Sequence, residues 1–330
     1  MNRRLLALIL LIIALVAVPF GIREYYVGIL TQLVINAILV VSFRFILQMG
    51  ELSLAHVVMM GFGGYMAAIL FQRFDWPFWV AMPMGGLASA TFALVVSQPL
   101  LRMKSFYFFV GSFAVGEVMR LCWLRFKVPF GGHIGLVRLY PPALYAIDLK
   151  DPVTYYLFAL FVALLCIIIM YRLERSRLGG TLKAIASNDR LAQSVGIDVR
   201  GYKTQAFVIG SFFAGIAGVL LTFRLNSISA SQYTMTYGLS MLVWVIVGGK
   251  GRFFGPILGL SVLMGFRELM IDMGITLLAP LIYGLLLIVT LIFIPDGFIA
   301  LPERIMGRRR KDKRTTDGIV HTEGEQDGTA

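Results

Sequence analysis

The chain is short of charge and nearly devoid of cysteine. Only 15% of its 330 residues are Asp, Glu, Lys or Arg, against 58% that are apolar. A soluble domain carries about 25% charged and 45–50% apolar residues, so an ordinary water-soluble globule is excluded. The two cysteines, Cys122 and Cys166, both fall inside apolar runs, which excludes a disulfide framework. No HExxH, CxxC or other ligand spacing occurs, so metal chemistry has no support. The GxxxxGK[ST] phosphate loop is missing too: Gly248-Gly249-Lys250-Gly251 has neither its spacing nor its hydroxyl. A process driven by ATP therefore needs its ATPase on another chain. Neither a nucleophile–base constellation nor a repeat of fixed period stands out.

Long uncharged stretches take up most of the sequence instead. They run over 5–22, 27–43, 52–72, 76–101, 152–171, 204–223, 225–249 and 273–295. Two shorter ones, 105–116 and 253–266, reach spanning length only by including an acid or base near one end. A membrane-crossing helix needs about 20 mainly apolar residues, so one span per stretch gives an all-α, polytopic transmembrane bundle of roughly ten helices, within a range of about 8–10. The stretch at 225–249 is polar in its first half (Asn226, Ser227, Ser229, Ser231, Gln232), which places the start of its membrane part near Tyr237. The first stretch follows Arg3 and Arg4 as a secretory leader does. It ends in Val18-Pro19-Phe20-Gly21 without a small-x-small cleavage site, so a retained first span is expected.

Basic residues collect in cytoplasmic loops, and that bias orients the bundle. With the N-terminus inside, the inner segments hold 21 of the 30 Lys and Arg residues, seven of them within 172–203 and seven from Arg304 to Arg314. An even number of spans returns both termini to the cytoplasm. The inner segments carry a net +10 and the remainder +2 of the formal +12. The basic balance is thus mostly topological and calls for no nucleic-acid partner, and the Arg304 to Arg314 run suits anionic lipid. The expected organisation is a transmembrane domain at 1–300 and a basic cytoplasmic tail at 301–330 too poor in apolar residues to fold. Within the domain lie an extracytoplasmic loop at 124–151, with Pro129, Pro141 and Pro142, and a charged cytoplasmic segment at 172–203.

That cytoplasmic segment is the most informative stretch. Leu182, Ile185, Ala192 and Val195 recur at helical spacing, with Lys183, Asp189, Arg190 and Gln193 between them. Thr181 is placed to cap a helix start, and Gly196 supplies a left-handed stop. Such an amphipathic helix either lies in the membrane interface or fits a groove on a partner protein.

Polar groups inside apolar stretches are the other candidates. Glu117 costs at least about 2.5–3.5 kcal/mol in a membrane. An ion pair with Arg120, three residues on, is the simpler account, and a place in the solute path is the alternative. His56 suits a hydrogen bond to a neighbouring helix better than a metal, and Glu51 lies five residues before it. His133 sits in the Gly131-Gly132-His133-Ile134-Gly135 run, a sharp turn whose backbone N–H groups are also able to face a carboxylate. Gly251, Gly255 and Gly259 recur every four residues, as do Gly210, Ala214 and Gly218, a spacing that lets helices approach closely. With Pro256 among them, the first set also suits a broken helix lining a cavity, and Gly61, Gly63 and Gly64 offer the same choice.

These blocks together resemble one family, the LivM-like permeases of branched-chain amino acid ABC transporters. Its cytoplasmic loop runs G-x-A-L-x-A-I-R-x-acidic-x-x-A-A-x-x-x-G-I, followed by a Tyr-Lys pair and an A-G-x-A-G helix. Leu182, Ala184, Ile185, Ala192, Gly196, Ile197, Tyr202, Lys203 and Ala214-Gly215-Ile216-Ala217-Gly218 match, with Asp189 in the acidic region. Ala186 replaces the usual Arg and Leu191 the first Ala of the pair. Gly50-Glu51-Leu52-Ser53-Leu54-Ala55-His56 resembles G-Q-L-S-L-G-H, with Glu51 for Gln and Ala55 for Gly, and is followed by Gly61-Phe62-Gly63-Gly64-Tyr65. Gly116-Glu117 with Arg120 resembles G-E-x-x-R, and Gly131 to Leu136 the outer T-G-G-x-x-G-L turn, with Phe130 for Thr. Gly248 to Pro256 and Pro295-Asp296-Gly297-Phe298 complete the order, so the blocks run from Gly50 to Phe298.

The resemblance implies a non-enzymatic permease subunit of an importer in a bacterial inner membrane. It implies partnership with a second homologous permease, two cytoplasmic ATPases that use ATP and Mg, and an extracytoplasmic solute-binding protein. This chain itself would hold no cofactor. The coupling residues would be Leu182, Ala184, Ile185, Asp189, Ala192, Gly196 and Ile197. Glu51, Ser53, His56, Glu117, Gly132, His133 and Gly135 would be candidates for the solute path. Branched-chain amino acids are the first solute implied, with urea, amides or aromatic acids as alternatives. An ion-coupled secondary transporter or a channel would also explain the spans but not the cytoplasmic segment. A membrane enzyme would have only Glu51 and His56 to work with.

Overall fold

The computed structural model describes residues 14–141, 143–144, 147–249 and 251–274, with five further residues between 281 and 288. The first half of the expected span at 5–22 and most of that at 273–295 lie outside the described residues, as does all of the 301–330 tail. Contacts divide the chain into two compact units, Met1–Leu242 and Val243–Ala330.

Among the described residues the first unit is mainly helical. Its main helices are α1 (Glu24–Leu47), α2 (His56–Arg73), α3 (Phe78–Leu100), α4 (Phe106–Arg125), α5 (Pro152–Arg175), α6 (Arg177–Ser187), α7 (Asp189–Ser194) and α8 (Val199–Arg224), and α9 (Met235–Gly248) crosses the border between the units. Among the described residues α1, α3, α4, α5 and α8 are long and apolar enough to cross a membrane. Each contains one of the expected apolar stretches or begins inside it. The 225–249 stretch does not form one helix. Its polar half makes strand β2 (Ser227–Ile228) and a 3-10 turn at Ala230–Gln232, closed by a capping box between Ser229 and Gln232. Serine and Gln there bond the backbone locally, and α9 starts only at Met235.

Small residues set how the central helices pack. A Cβ at Gly63 would stand against the backbone of Gly215, one at Gly218 against the Met60 carbonyl, and one at Gly210 against Ile46. Hence α8 touches α2 backbone to backbone and takes the Ile46 side chain of α1 against its own backbone, approaches that a larger residue forbids. The Ser89 hydroxyl on α3 lies 2.8 Å from both the Met59 and the Ser211 carbonyl, so one group serves α2 and α8 together. Tyr155 on α5 donates to the Leu220 carbonyl at 2.6 Å, and Phe71 and Phe78 meet Phe223 edge-on.

One end of this bundle is closed by α6 and α7. The other, the hairpin end, carries the pair Ala143–Leu144 with Ile147–Asp148 in its loop and is closed by a two-stranded ladder between distant segments, β1 (Leu136–Val137) pairing antiparallel with β2, Leu136 facing Ile228.

In the second unit, α10 (Gly255–Asp272) follows α9 after a tight turn. The expected face of Gly251, Gly255 and Gly259 is corrected here. Gly251 lies in the turn ahead of the helix with open space around it, while Gly255 and Gly259 press on the backbone of Gly248 and Trp244. Gly248 is thus the third member of the close contact, because Pro256 fixes the first turn of α10 and leaves Gly251 outside it.

Candidate functional site at the α6–α7 end

The helix pair forms because two polar residues interrupt what is otherwise a continuous helical pattern. Ser176 is extended (ψ 177°) and ends α5, so that α6 turns away from it. Gly179 then passes so near the Glu174 carbonyl that no side chain fits there. Asn188 breaks the pattern again (φ −161°, ψ 102°), and its side chain accepts the Leu191 N–H at 3.1 Å to start α7. Thr181, expected to cap, lies inside α6 with its hydroxyl on the Arg177 carbonyl. Gly196 does end the segment in a left-handed conformation (φ +84°), and the Ile197 N–H returns to the Ala192 carbonyl at 3.1 Å.

The interruption at Asn188 decides which side chains point inward. Leu182, Ile185 and Ala192 are buried, and Ile185 and Ala192 form a small core with Val199, flanked by Ile197 and Tyr202. Val195, expected on the same face, is instead 70% exposed and Leu191 64% exposed, because α7 restarts the helical phase after Asn188. Ala184 is exposed as well. The pair thus has one face spent on the bundle, and its outer face sets exposed Leu191 and Val195, four positions apart, among Lys183, Arg190, Gln193 and Ser194.

Ion pairs hold the inner face. Lys203 on α8, only 8% exposed, donates to Glu51 at 3.0 Å and to Asp189 at 2.9 Å. The second oxygen of Glu51 accepts the Ser105 N–H at 3.0 Å, just ahead of α4. Nearby, the buried Arg44 guanidinium makes a two-pronged contact with Glu174, which also accepts from Lys183 at 3.3 Å. Gly50, in a left-handed turn, lets α6 lie against it at Ala186.

Two groups of expected site residues, Glu51 and Asp189, are therefore brought together through Lys203. The others are dispersed. Ser53 and His56 are buried, and His56 Nε2 lies 2.8 Å from the Ser42 hydroxyl of α1, the neighbouring-helix bond anticipated for it. Glu117 pairs with Arg120 along α4. Gly132 and Gly135 sit at the hairpin end, both with positive φ, and His133 between them is exposed. Among the described residues no hydrogen bond or ion pair joins these groups to one another.

The hairpin end also holds a cavity of about 630 Å³ lined by Glu24, Lys150, Tyr155, Phe223, Arg224 and Asn226, among others. Arg224 is tied there to Gln32 at 3.0 Å and to the Gly28 carbonyl at 2.5 Å. Asp151 caps α5 beside it. The Thr154 backbone N–H, and then its hydroxyl, hold the Asp151 carboxyl below its ordinary value.

Sequence reasoning gave no role to Arg44, Glu174, Ser105 or Lys203 itself. Glu174 had a signal, since it is the one acid among the bases from Arg172 to Arg177.

A family model described as the branched-chain amino acid transport system permease component matches residues 25–294. The chain belongs to this family. Among related branched-chain permeases, the high-affinity branched-chain amino acid transport system permease protein LivM of Salmonella typhimurium is 27% identical over 91% of this chain and 76% of its own length. The probable branched-chain amino acid permease LivM of Methanocaldococcus jannaschii is 25% identical over 68% of this chain and 67% of its own. The ribose import permease protein RbsC of Haemophilus influenzae is 22% identical over 80% and 83%. No solved structure matches the chain. The permease-family match covers α2 to α10 and nearly all of α1, so the α6–α7 pair and its ion pairs belong to the shared part. Family and apolar helices together make this a multi-pass membrane permease, the transport component of an ABC importer rather than a catalytic enzyme.

Proposed function

We propose that this permease carries branched-chain amino acids across a bacterial inner membrane. In this reading both termini and the α6–α7 pair face the cytoplasm, and the hairpin end faces outward to a solute-binding protein. A second homologous permease completes the pathway, and two ATPases bind the ATP and Mg. About ten spans then make up the full bundle, and no ATPase site is needed on this chain.

The observation that supports the reading best is the outer face of α6–α7. Leu191 and Val195 are exposed four positions apart, and Ala184 is exposed on α6, on helices whose other face is buried and ion-paired. An apolar ridge on a firmly seated helix pair suits a groove on a partner protein. Closure of the ATPases would press on this ridge and rock the spans, opening the path to each side in turn.

The test is uptake by the reconstituted complex. Liposomes containing the permease pair, ATPases and leucine-loaded binding protein should take up leucine only with ATP on the ATPase side. Leu191→Glu and Ala184→Glu, both at exposed positions, should abolish stimulation of ATP hydrolysis by the loaded binding protein. Stimulation unchanged in both variants refutes the assignment, as does uptake driven by an ion gradient without ATP.

A further inference from the structure

The ion pairs under α6–α7 reach beyond the helix pair itself. Asp189 is the first residue of α7, Glu51 belongs to the turn between α1 and α2, and Ser105 immediately precedes α4. Lys203 Nζ lies between the first two, and Glu51 lies between Lys203 and the Ser105 N–H. Four elements are thus joined by three polar contacts, each 2.9–3.0 Å long.

The element at the far end of this chain of contacts is the one held least. Of the spanning window of α4, 22% is buried, against 83% for α8 and 78% for α1. Its buried residues are only Phe108, Ser112, Gly116 and Trp123, the first three forming a stripe at every fourth position. Its start is held in an unfavourable backbone state, since Ser105 has φ +50°, which persists only where surrounding contacts impose it. The Glu51 carboxylate supplies one such contact, and the Ser112 hydroxyl accepts the Leu54 N–H at 3.0 Å from the same turn.

We propose that Lys203 is a positioning residue that transmits movement of the α6–α7 pair to α4. The inference rests on the importer reading given above and names the route by which the ATPase stroke enters the spans. Its physical basis is the sharing of one cation between two carboxylates. A lysine ammonium sits on a flexible four-carbon stem and follows whichever acceptor is nearer. When α7 withdraws Asp189, the ammonium transfers its attraction to Glu51, and Glu51 in turn shifts its hold on Ser105. Without the cation, Glu51 and Asp189 are two negative charges in a shielded space and repel each other. The movement of α7 then no longer reaches α4 in a defined direction.

The experiment measures leucine taken up per ATP hydrolysed by the full complex in liposomes. If the wild-type complex shows no ATP-driven uptake, the importer reading fails and with it the relay. If it does, Lys203→Met should lower the ratio by roughly two- to thirty-fold, the range of energetic coupling between distant sites. The ATPases should remain bound and continue to hydrolyse ATP. Lys203→Arg, whose guanidinium also reaches two carboxylates, should restore most of the ratio, which a purely structural loss would not predict. Should Lys203→Met fail to assemble, Asp189→Asn at the more exposed carboxylate carries the same expectation of a lowered ratio in an assembled complex. An unchanged ratio in whichever of these two variants assembles overturns the proposal, as does an Arg variant as poorly coupled as Lys203→Met.

Discussion

The two ends of the first unit are closed by different chemistry. At the α6–α7 end the ties are between side chains: Arg44 with Glu174, and Lys203 between Glu51 and Asp189. At the hairpin end the backbone takes a larger part, through the Gly131–Gly135 turn and the β1–β2 pairing, beside the Asp151 cap and the Arg224 ties to Gln32 and Gly28. An ion pair on flexible stems can change partners while both helices keep their shape. At the Gly131–Gly135 turn it is backbone that meets backbone, so a change there has to move the chain itself. The first end therefore has partners that can be exchanged, and the second depends more on the path of the chain.

The comparison can be broken at either end, and the largest effect is expected at the charged one. Glu174→Ala leaves the Arg44 guanidinium buried without its carboxylate, a loss of about 3–5 kcal/mol. It should appear as a large fall in the thermal unfolding temperature of the solubilised protein. Arg44→Met added to Glu174→Ala should recover a substantial part of it, and a neutral Glu174→Ala would show that charge does not hold this end. Next comes Gly135→Ala, in which the new Cβ meets the Ile228 carbonyl at a φ of +76°. Backbone strain of this kind costs about 1–3 kcal/mol. Proteolysis of the 124–151 loop should accelerate while the α6–α7 end stays protected, and equal protection of both ends would contradict the separation.

Asp151→Ala is the milder probe of the same end, removing an exposed cap for about 0.5–1 kcal/mol. Its pH dependence has a definite sign. The folded carboxyl titrates below its ordinary value of 3.8, so the stabilisation is complete above that pH and disappears as pH falls through the folded value. The difference in unfolding temperature between wild type and variant should be constant from neutral pH down to mild acid and close only below it. Smallest of all is Glu117→Gln on the flank of α4. Its pair with Arg120 lies along one face of α4 and joins no second helix, so only a small shift in unfolding temperature is expected. A large loss of transport with little loss of stability would instead place Glu117 in the solute path.

Much of this architecture was legible in the sequence, for a reason specific to membranes. Each span must satisfy its own backbone and cover itself with apolar groups, so α1, α3, α5 and α8 announce themselves as uncharged stretches. The Gly196 stop was readable because only a left-handed glycine ends a helix that way. What escaped were the features set by contact between distant residues. Val195 was assigned to the wrong face because one Asn, 188, resets the helical phase, and periodicity carries no warning of it. Gly251 was grouped by spacing with glycines that pack, although the helix begins only at Gly255, four residues later, with Pro256 in its first turn. Glu51 was read with His56, its neighbour in sequence, whereas its partner Lys203 lies 152 positions away. The family pattern marked the Tyr202–Lys203 pair without saying what the lysine holds.

The Ser89 hydroxyl has a consequence for the working of the whole. By sharing one proton between carbonyls of α2 and α8, it pins three helices at a point where glycines already bring their backbones into contact. A slide of any one of them past the others would break this shared bond and drive backbone against backbone, so the three resist shear at this level.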